Sequence, residues 1–134
     1  MTGSGGGETG RSAGIVRHSA EVESREVAAG AATRVQILLG PADGTPNFAM
    51  RRFTMGAGGG MPVHTNSVEH EQYVLQGRAE VGIGGKKFEV GAGDVLYIPA
   101  GLPHHYRVIE APFEFLCMVP NAEDRIDIIE DRGC

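Results

Sequence analysis

"PVHTNSVEHEQYVLQG", residues 62–77, places His64, Asn66 and His70 within seven positions and then enters an apolar, strand-like run. Side chains two apart on a strand share a face, so His64 and Asn66 can point the same way. Either these polar groups decorate a loop ahead of a strand, or they converge on one point with a partner from elsewhere in the chain. Downstream, "PAGLPHHY" (residues 99–106) sets His104 and His105 behind a Pro/Gly turn, and supplies the candidate partner. Neighbours on a strand face opposite sides, so only one of that pair can join.

The chain around this stretch is punctuated throughout. "TRVQILL" (33–39) is β-compatible and ends at Gly40-Pro41, and "PADGTPN" is turn chemistry. "FAMRRFTM" alternates, with Phe48, Met50 and Arg52 on one side and Ala49, Arg51 and Phe53 on the other; "GAGGGMP" is expected to break it. "HEQYVLQG", "RAEVGIGG", "KKFEVGAG", "DVLYIPAG" and "HYRVIEAPFEFLCMVP" follow, each a short strand candidate closed by Gly or Pro. Gly84-Gly85 reads as a hairpin turn. Regularly spaced short strands argue for an all-β barrel or sandwich. "AEDRIDIIEDR" near the C-terminus is open to two readings, a short helix or an extra strand packing across a partner.

At 134 residues the chain suits one domain with one core. The Gly-rich residues 1–14 are expected to form a disordered tail. Residues 15–134 form the domain, with a barrel core near 33–120 and an extension over 121–134. A net charge of −5 argues against a nucleic-acid partner. No apolar run nears the roughly 20 residues that span a bilayer, and no basic-then-apolar leader is present, so a cytoplasmic location is expected. Two cysteines, Cys117 in an apolar run and Cys134 at the last position, do not make a disulfide framework.

Two spaced frames connect the histidines. Five residues separate Gly58 from His64, one separates His64 from Asn66, three Asn66 from His70, and six His70 from Gly77. Five lie between Gly93 and Pro99, and Pro99-Ala100-Gly101 is followed by two residues and His104. This resembles the paired motifs of the cupin family, G-x5-H-x-H-x3,4-E-x6-G and G-x5-P-x-G-x2-H-x3-N. Asn66 stands in the second histidine's place, His70 in the glutamate's, and Val108 where the family often has Asn. The resemblance extends over roughly residues 33–120 and implies a conical antiparallel barrel of jelly-roll type whose motif residues point inward at a metal. His70 and the flanking "EHE..VL.G" (69–77) and "FEFLCM" (113–118) are similar to the small four-histidine cupins, a manganese-containing, dioxygenase-like group.

The resemblance implies His64, His70 and His104 as ligands of one divalent transition metal, with Mn or Fe favoured and Cu, Ni, Co or Zn open. Neutral imidazoles suit such ions, whereas oxygen-only sites suit Mg or Ca. Replacing the glutamate by His70 removes the one anionic ligand, so bound substrate should be polarised more strongly and anions favoured. Asn66 is expected as a long fourth ligand or as a donor to a bound water. By strand parity Gln72, Tyr106, Phe115, Cys117 and Val119 should face the cavity as substrate contacts, with Phe113. Arg51, inward with Phe53, is the candidate to neutralise a substrate carboxylate. Glu69, Glu71 and His105 should face away.

The reading that follows is a metal-dependent enzyme oxidising a small organic, anionic molecule with dioxygen. Two alternatives remain: a lyase, isomerase or hydrolase using the metal as Lewis acid, and a ligand-binding cupin without turnover, because fold alone does not fix reaction class. A homodimer that covers an exposed sheet edge, exchanging Ile15–Val22 or the strand from Thr33, is the expected assembly.

Overall fold

The computed structural model describes residues 13–130. Most of the proposed tail and Cys134 therefore lie outside the described residues. Eight strands form one antiparallel, jelly-roll sheet system: β1 (Arg25–Glu26), β2 (Ala31–Leu39), β3 (Phe48–Asn66), β4 (His70–Ile83), β5 (Lys86–Gly91), β6 (Val95–Ile98), β7 (His104–Pro120) and β8 (Ile126–Glu130). The order β1-β2-β3-β7-β4-β5, with β6 on β4 and β8 on β3, puts β7 between the two other long strands. The all-β barrel expected from the spacing is the fold observed. Helical structure among the described residues is limited to two 3-10 turns, Ser19–Glu21 and Pro41–Asp43. No described helix is long and apolar enough to cross a membrane.

The strands are longer and fewer than the punctuation suggests. "GAGGGMP" does not end its strand: β3 runs through it, absorbing the irregularity as register shifts between Met55 and Gly60 and between Met61 and His64. "HEQYVLQG" and "RAEVGIGG" likewise fuse into β4, with shifts between Val74 and Ala79. Glycines here bend strands where they would otherwise terminate them, because a long strand must curl to serve both halves of a closed barrel. "IDIIE" is a strand, and it pairs with this chain's own β3, as β1 pairs with β2. Ile83 pairs with Lys86 across the Gly84-Gly85 turn, as read from the sequence.

All four glycines of the two spaced frames, Gly58, Gly77, Gly93 and Gly101, have positive φ. At Gly77 the requirement is double. Its φ is +82°, and an added Cβ would lie 2.1 Å from the carbonyl oxygen of Pro112 on β7. The obstacle is backbone, which cannot swing aside. Gly77→Ala is therefore expected to lower stability by roughly 2–4 kcal/mol, read as the shift in a urea midpoint. A loss below about 1 kcal/mol would show that β4 and β7 separate there without strain.

Between the sheet halves the core gathers Met55, Val74, Ala79, Val81, Phe113, Phe115 and Cys117, all essentially solvent-free. Phe53 and Phe115 are register partners on β3 and β7 and stack at 5.1 Å; Tyr106 also stacks on Phe115, at 5.3 Å. Close aromatic stacking of this kind adds to the burial of the rings. The row forms one wall of an internal cavity.

Candidate metal centre

Register brings the three histidines together. His64, near the end of β3, is the direct partner of His104 at the start of β7, and the rings lie 4.2 Å apart. His70 opens β4 and stands edge-on to His104 at 5.7 Å. His105, one position on, faces outward and bonds Glu80 at 2.9 Å, so parity selects His104.

Each imidazole is held by its Nδ1. His64 Nδ1 lies 2.8 Å from the Pro62 carbonyl, His70 Nδ1 3.1 Å from that of Glu69, and His104 Nδ1 2.9 Å from that of Leu102. A carbonyl only accepts, so Nδ1 carries the proton and Nε2 keeps its lone pair. Backbone carbonyls are the partners that commonly orient a metal-binding histidine. Burial lowers the pKa of all three: His70 and His104 fall to about 4, and His64 moves the same way. The Arg51 cation pushes His70 further down. The rings are thus neutral at pH 7, the state in which they can ligate.

Five buried side-chain nitrogen or oxygen atoms lack a hydrogen-bond partner among the described residues, and three belong to the cavity: His104 Nε2, Asn66 Oδ1 and Arg51 Nε. A buried polar atom without a partner costs about 1–3 kcal/mol, so such a cluster marks a place for something else. No three described His, Cys, Asp or Glu side chains are already gathered as a metal cage. The rings are nonetheless neighbours, with centroids 4.2 Å (His64–His104) and 5.7 Å (His70–His104) apart. Three neutral nitrogens and an amide oxygen fit a borderline divalent transition ion; they do not fit Mg or Ca.

Asn66 is buried at 6 % exposure, and its Nδ2 donates to Asp124 Oδ2 at 2.9 Å. Its Oδ1 lies near His64 without making a hydrogen bond of ordinary geometry. With one of its two amide N–H groups bonded to Asp124, Asn66 has its oxygen and a second N–H for the two roles anticipated for it.

The rest of the wall forms a cross-strand row. Arg51 on β3 and Gln72 on β4 are both register partners of Cys117 on β7, which lies between them. Arg51 Nη2 lies 3.2 Å from Cys117 Sγ, and its guanidinium sits 5.0 Å over the Phe53 ring. Gln72 Nε2 donates to Tyr106 Oη at 2.8 Å and approaches Cys117 Sγ at 3.5 Å. Burial drives the Tyr106 pKa upward, so its phenol stays protonated. The cavity holds about 180 Å³ and is mostly apolar.

Arg51, Gln72, Tyr106, Phe115 and Cys117 line this cavity as their parity requires. Val119 does not. It is buried, but β7 has passed the end of the cavity there, pairing with Ala49 beside an outer groove with Phe48. Phe113 also sits in the core and not on the wall. Glu69 and Glu71 are exposed, as expected. Sequence reasoning missed Asp124, Ile126 and the apolar residues Val35, Ile37, Met55 and Met61. For Val35, Ile37 and Met55 the alternation in "TRVQILL" and "RRFTM" was signal enough.

A family profile described as a cupin domain matches residues 51–119. Over 54 residues, 40% of this chain, the sequence is 39% identical to a quercetin 2,3-dioxygenase of Bacillus subtilis, and over 80 residues it is 31% identical to an uncharacterized protein of Methanocaldococcus jannaschii. The chain spans only 16% of the first and 64% of the second. The polyketide cyclase RemF of Streptomyces resistomycificus superposes with a TM-score of 0.82 at 25% identity, covering 90% of this chain and 89% of that one. With the profile covering half of its length, and with both motif frames folded as the spacing implied, the chain belongs to the cupin family.

Proposed function

We propose that this protein is a metal-dependent enzyme that oxidises a small organic anion with dioxygen. The observation that carries it is the set of three Nδ1-anchored, neutral imidazoles opening on a largely apolar cavity in which His104 Nε2 and Asn66 Oδ1 are buried without partners. A divalent transition ion held by His64, His70 and His104 would supply Lewis acidity and, as Mn or Fe, one-electron chemistry. The chain's own residues do the rest. Arg51 pairs with no carboxylate among the described residues and faces the cavity with an unsatisfied Nε, so it receives an anionic group. Tyr106 accepts from Gln72 and keeps its own proton for a substrate oxygen. The stacked Phe53, Phe115 and Tyr106 rings give a flat molecule an apolar wall and exclude water. Asp124 is the one carboxylate on the wall among the described residues and is already bonded to Asn66 and Ser67, which leaves little equipment for acid–base catalysis. Local identity to a quercetin 2,3-dioxygenase points the same way.

The structural likeness to a polyketide cyclase over 90% of the chain favours a second reading, in which the metal acts only as Lewis acid on a similar flat substrate. Elemental analysis of protein purified without added metal, followed by oxygen-electrode assays on hydroxyaromatic and enolisable monoanions, separates the two. Mn or Fe near one equivalent with substrate-dependent dioxygen uptake is expected; full turnover with Zn in anoxic buffer would establish the second reading instead. Arg51→Gln should raise KM about 10- to 100-fold, the worth of a charge-assisted hydrogen bond, and leave kcat nearly unchanged. An unaltered KM would remove Arg51 from substrate recognition.

A further inference from the structure

The loop between β7 and β8 crosses back over the end of β3 and delivers Asp124 to Asn66. Several independent contacts fix it there. The Ser67 amide donates to Asp124 Oδ1 at 3.0 Å and to the Arg125 carbonyl at 3.0 Å; the Arg125 amide donates to Ser67 Oγ at 2.6 Å. Ser67 Oγ also donates to the Glu123 carbonyl at 3.2 Å. Beyond the loop, β8 pairs with β3 at the site itself, Ile128 opposite His64 and Ile126 opposite Asn66. Asp124 is therefore held in place by its surroundings, and it lines the cavity.

An ionised carboxylate only accepts hydrogen bonds. Asn66 must turn its NH2 toward Asp124, and the planar amide then has no choice but to aim Oδ1 the other way, toward the imidazoles. That oxygen is buried and unpartnered. The same carboxylate acts electrostatically on the imidazoles. It is the one carboxylate lining the cavity they share, among the described residues, and so favours positive charge there. With His70 where the family motif has glutamate, the ring set carries no charge of its own.

We infer that Asp124 is a positioning residue of the metal centre: it locks Asn66 with its amide oxygen inward as the fourth donor and provides, one residue removed, the negative charge that the three imidazoles lack. This rests on the three-histidine reading above. It makes the segment 121–130 part of the site, although neither motif frame reaches it.

The test titrates Mn²⁺ into metal-free protein by calorimetry at fixed neutral pH, with wild type, Asp124→Asn, Asn66→Ala and the double variant, and records Mn²⁺ EPR spectra of each. Asp124→Asn keeps an oxygen for the Ser67 amide, so the loop stays closed, but it leaves the Asn66 amide free to turn over. Each single variant is expected to weaken Mn²⁺ binding about 10- to 100-fold, and Asp124→Asn should alter the zero-field splitting. The double variant should be little weaker than Asp124→Asn, which already loses both the lock and the charge, and weaker than Asn66→Ala, which keeps the charge. If Asp124→Asn lowers the melting temperature but leaves affinity and spectrum unchanged, Asp124 only staples the loop and the inference is overturned. If Asp124→Asn weakens binding while Asn66→Ala does not, the oxygen is not a donor and the locking role is refuted. His104→Ala separates the two layers: wild-type binding lost in that variant upholds the three-histidine reading whatever Asp124 does, whereas wild-type protein that takes up no Mn²⁺ sinks both.

Discussion

His104→Ala should lose metal affinity by well over about 100-fold, more than the 10- to 100-fold typical of residues that merely orient a ligand, while His105→Ala should leave it unchanged. The two residues are adjacent in sequence and opposite in role. His104 is 2 % exposed, directly across the ladder from His64, and its Nε2 has no partner among the described residues. His105 projects from the other face and bonds Glu80, which also pairs with Arg107 at 3.0 Å. Removing His104 would delete one of the three proposed imidazole donors; removing His105 deletes an exterior hydrogen bond. Folding should survive both, because the His104 ring is tied to the backbone by its hydrogen bond to Leu102, and barrel closure does not pass through that bond. His64→Ala and His70→Ala should follow His104→Ala. Titration calorimetry and metal content after dialysis provide the measurement. Equal occupancy in His104→Ala and His105→Ala would mean that the rings do not share an ion, and the functional reading would fall with them.

His64, His70 and His104 were legible in the sequence because two glycine-anchored frames resembling the cupin motifs space them; strand parity admits only one of His104 and His105, and the second frame selects His104. The same parity places Arg51, Gln72, Tyr106, Phe115 and Cys117 on the cavity wall. It overreached at Val119 because parity gives the face of a strand but not how far along it the cavity extends. Glycine punctuation misled in the opposite sense at "GAGGGMP". Register shifts absorbed it inside β3, and a one-dimensional reading cannot distinguish a bend that continues a ladder from a turn that ends it. Asp124 was out of reach altogether. Its side chain meets an amide 58 positions away through a loop crossing that leaves no periodic trace, and in "NAEDR" it looks like ordinary turn chemistry. Only the pairing of β8 with β3 brings the two together.

The burial that keeps these rings neutral is expected to make the metal-free protein acid-labile. In the folded chain His70 and His104 titrate near 4, lowered first by desolvation; in the unfolded chain they titrate at the ordinary histidine value of 6.5. Above pH 6.5 both states carry neutral rings, and stability does not depend on them. Between 6.5 and 4 the unfolded chain takes up protons that the native chain refuses, so stability falls as pH falls; below about 4 both states are protonated and this contribution levels off. A lowering of this size corresponds to about 3 kcal/mol for one ring and roughly 6 kcal/mol for the two together, with His64 adding in the same direction. That is comparable to the whole stability of many domains. Asp43, held low by its hydrogen bond to Arg17, and Glu80, held low by His105, begin to lose their partners' help as pH falls through their ordinary values of 3.8 and 4.5, so they add to the decline only at the foot of the window, where Glu71, raised by burial and by Glu69, opposes it. Urea midpoints of metal-free protein at about pH 7.5, 6.0, 5.0 and 4.5 should drop steeply across the range, with a slope near two protons. His70→Asn should remove about one of them, since an amide has nothing to titrate. Saturating Mn²⁺ should raise the neutral-pH midpoint and steepen the decline, because protons and metal then compete for the same lone pairs. Midpoints that stay level from about pH 7.5 to 5.0 would mean that the rings meet water in the folded state, and a site already hydrated has no reason to wait for an ion.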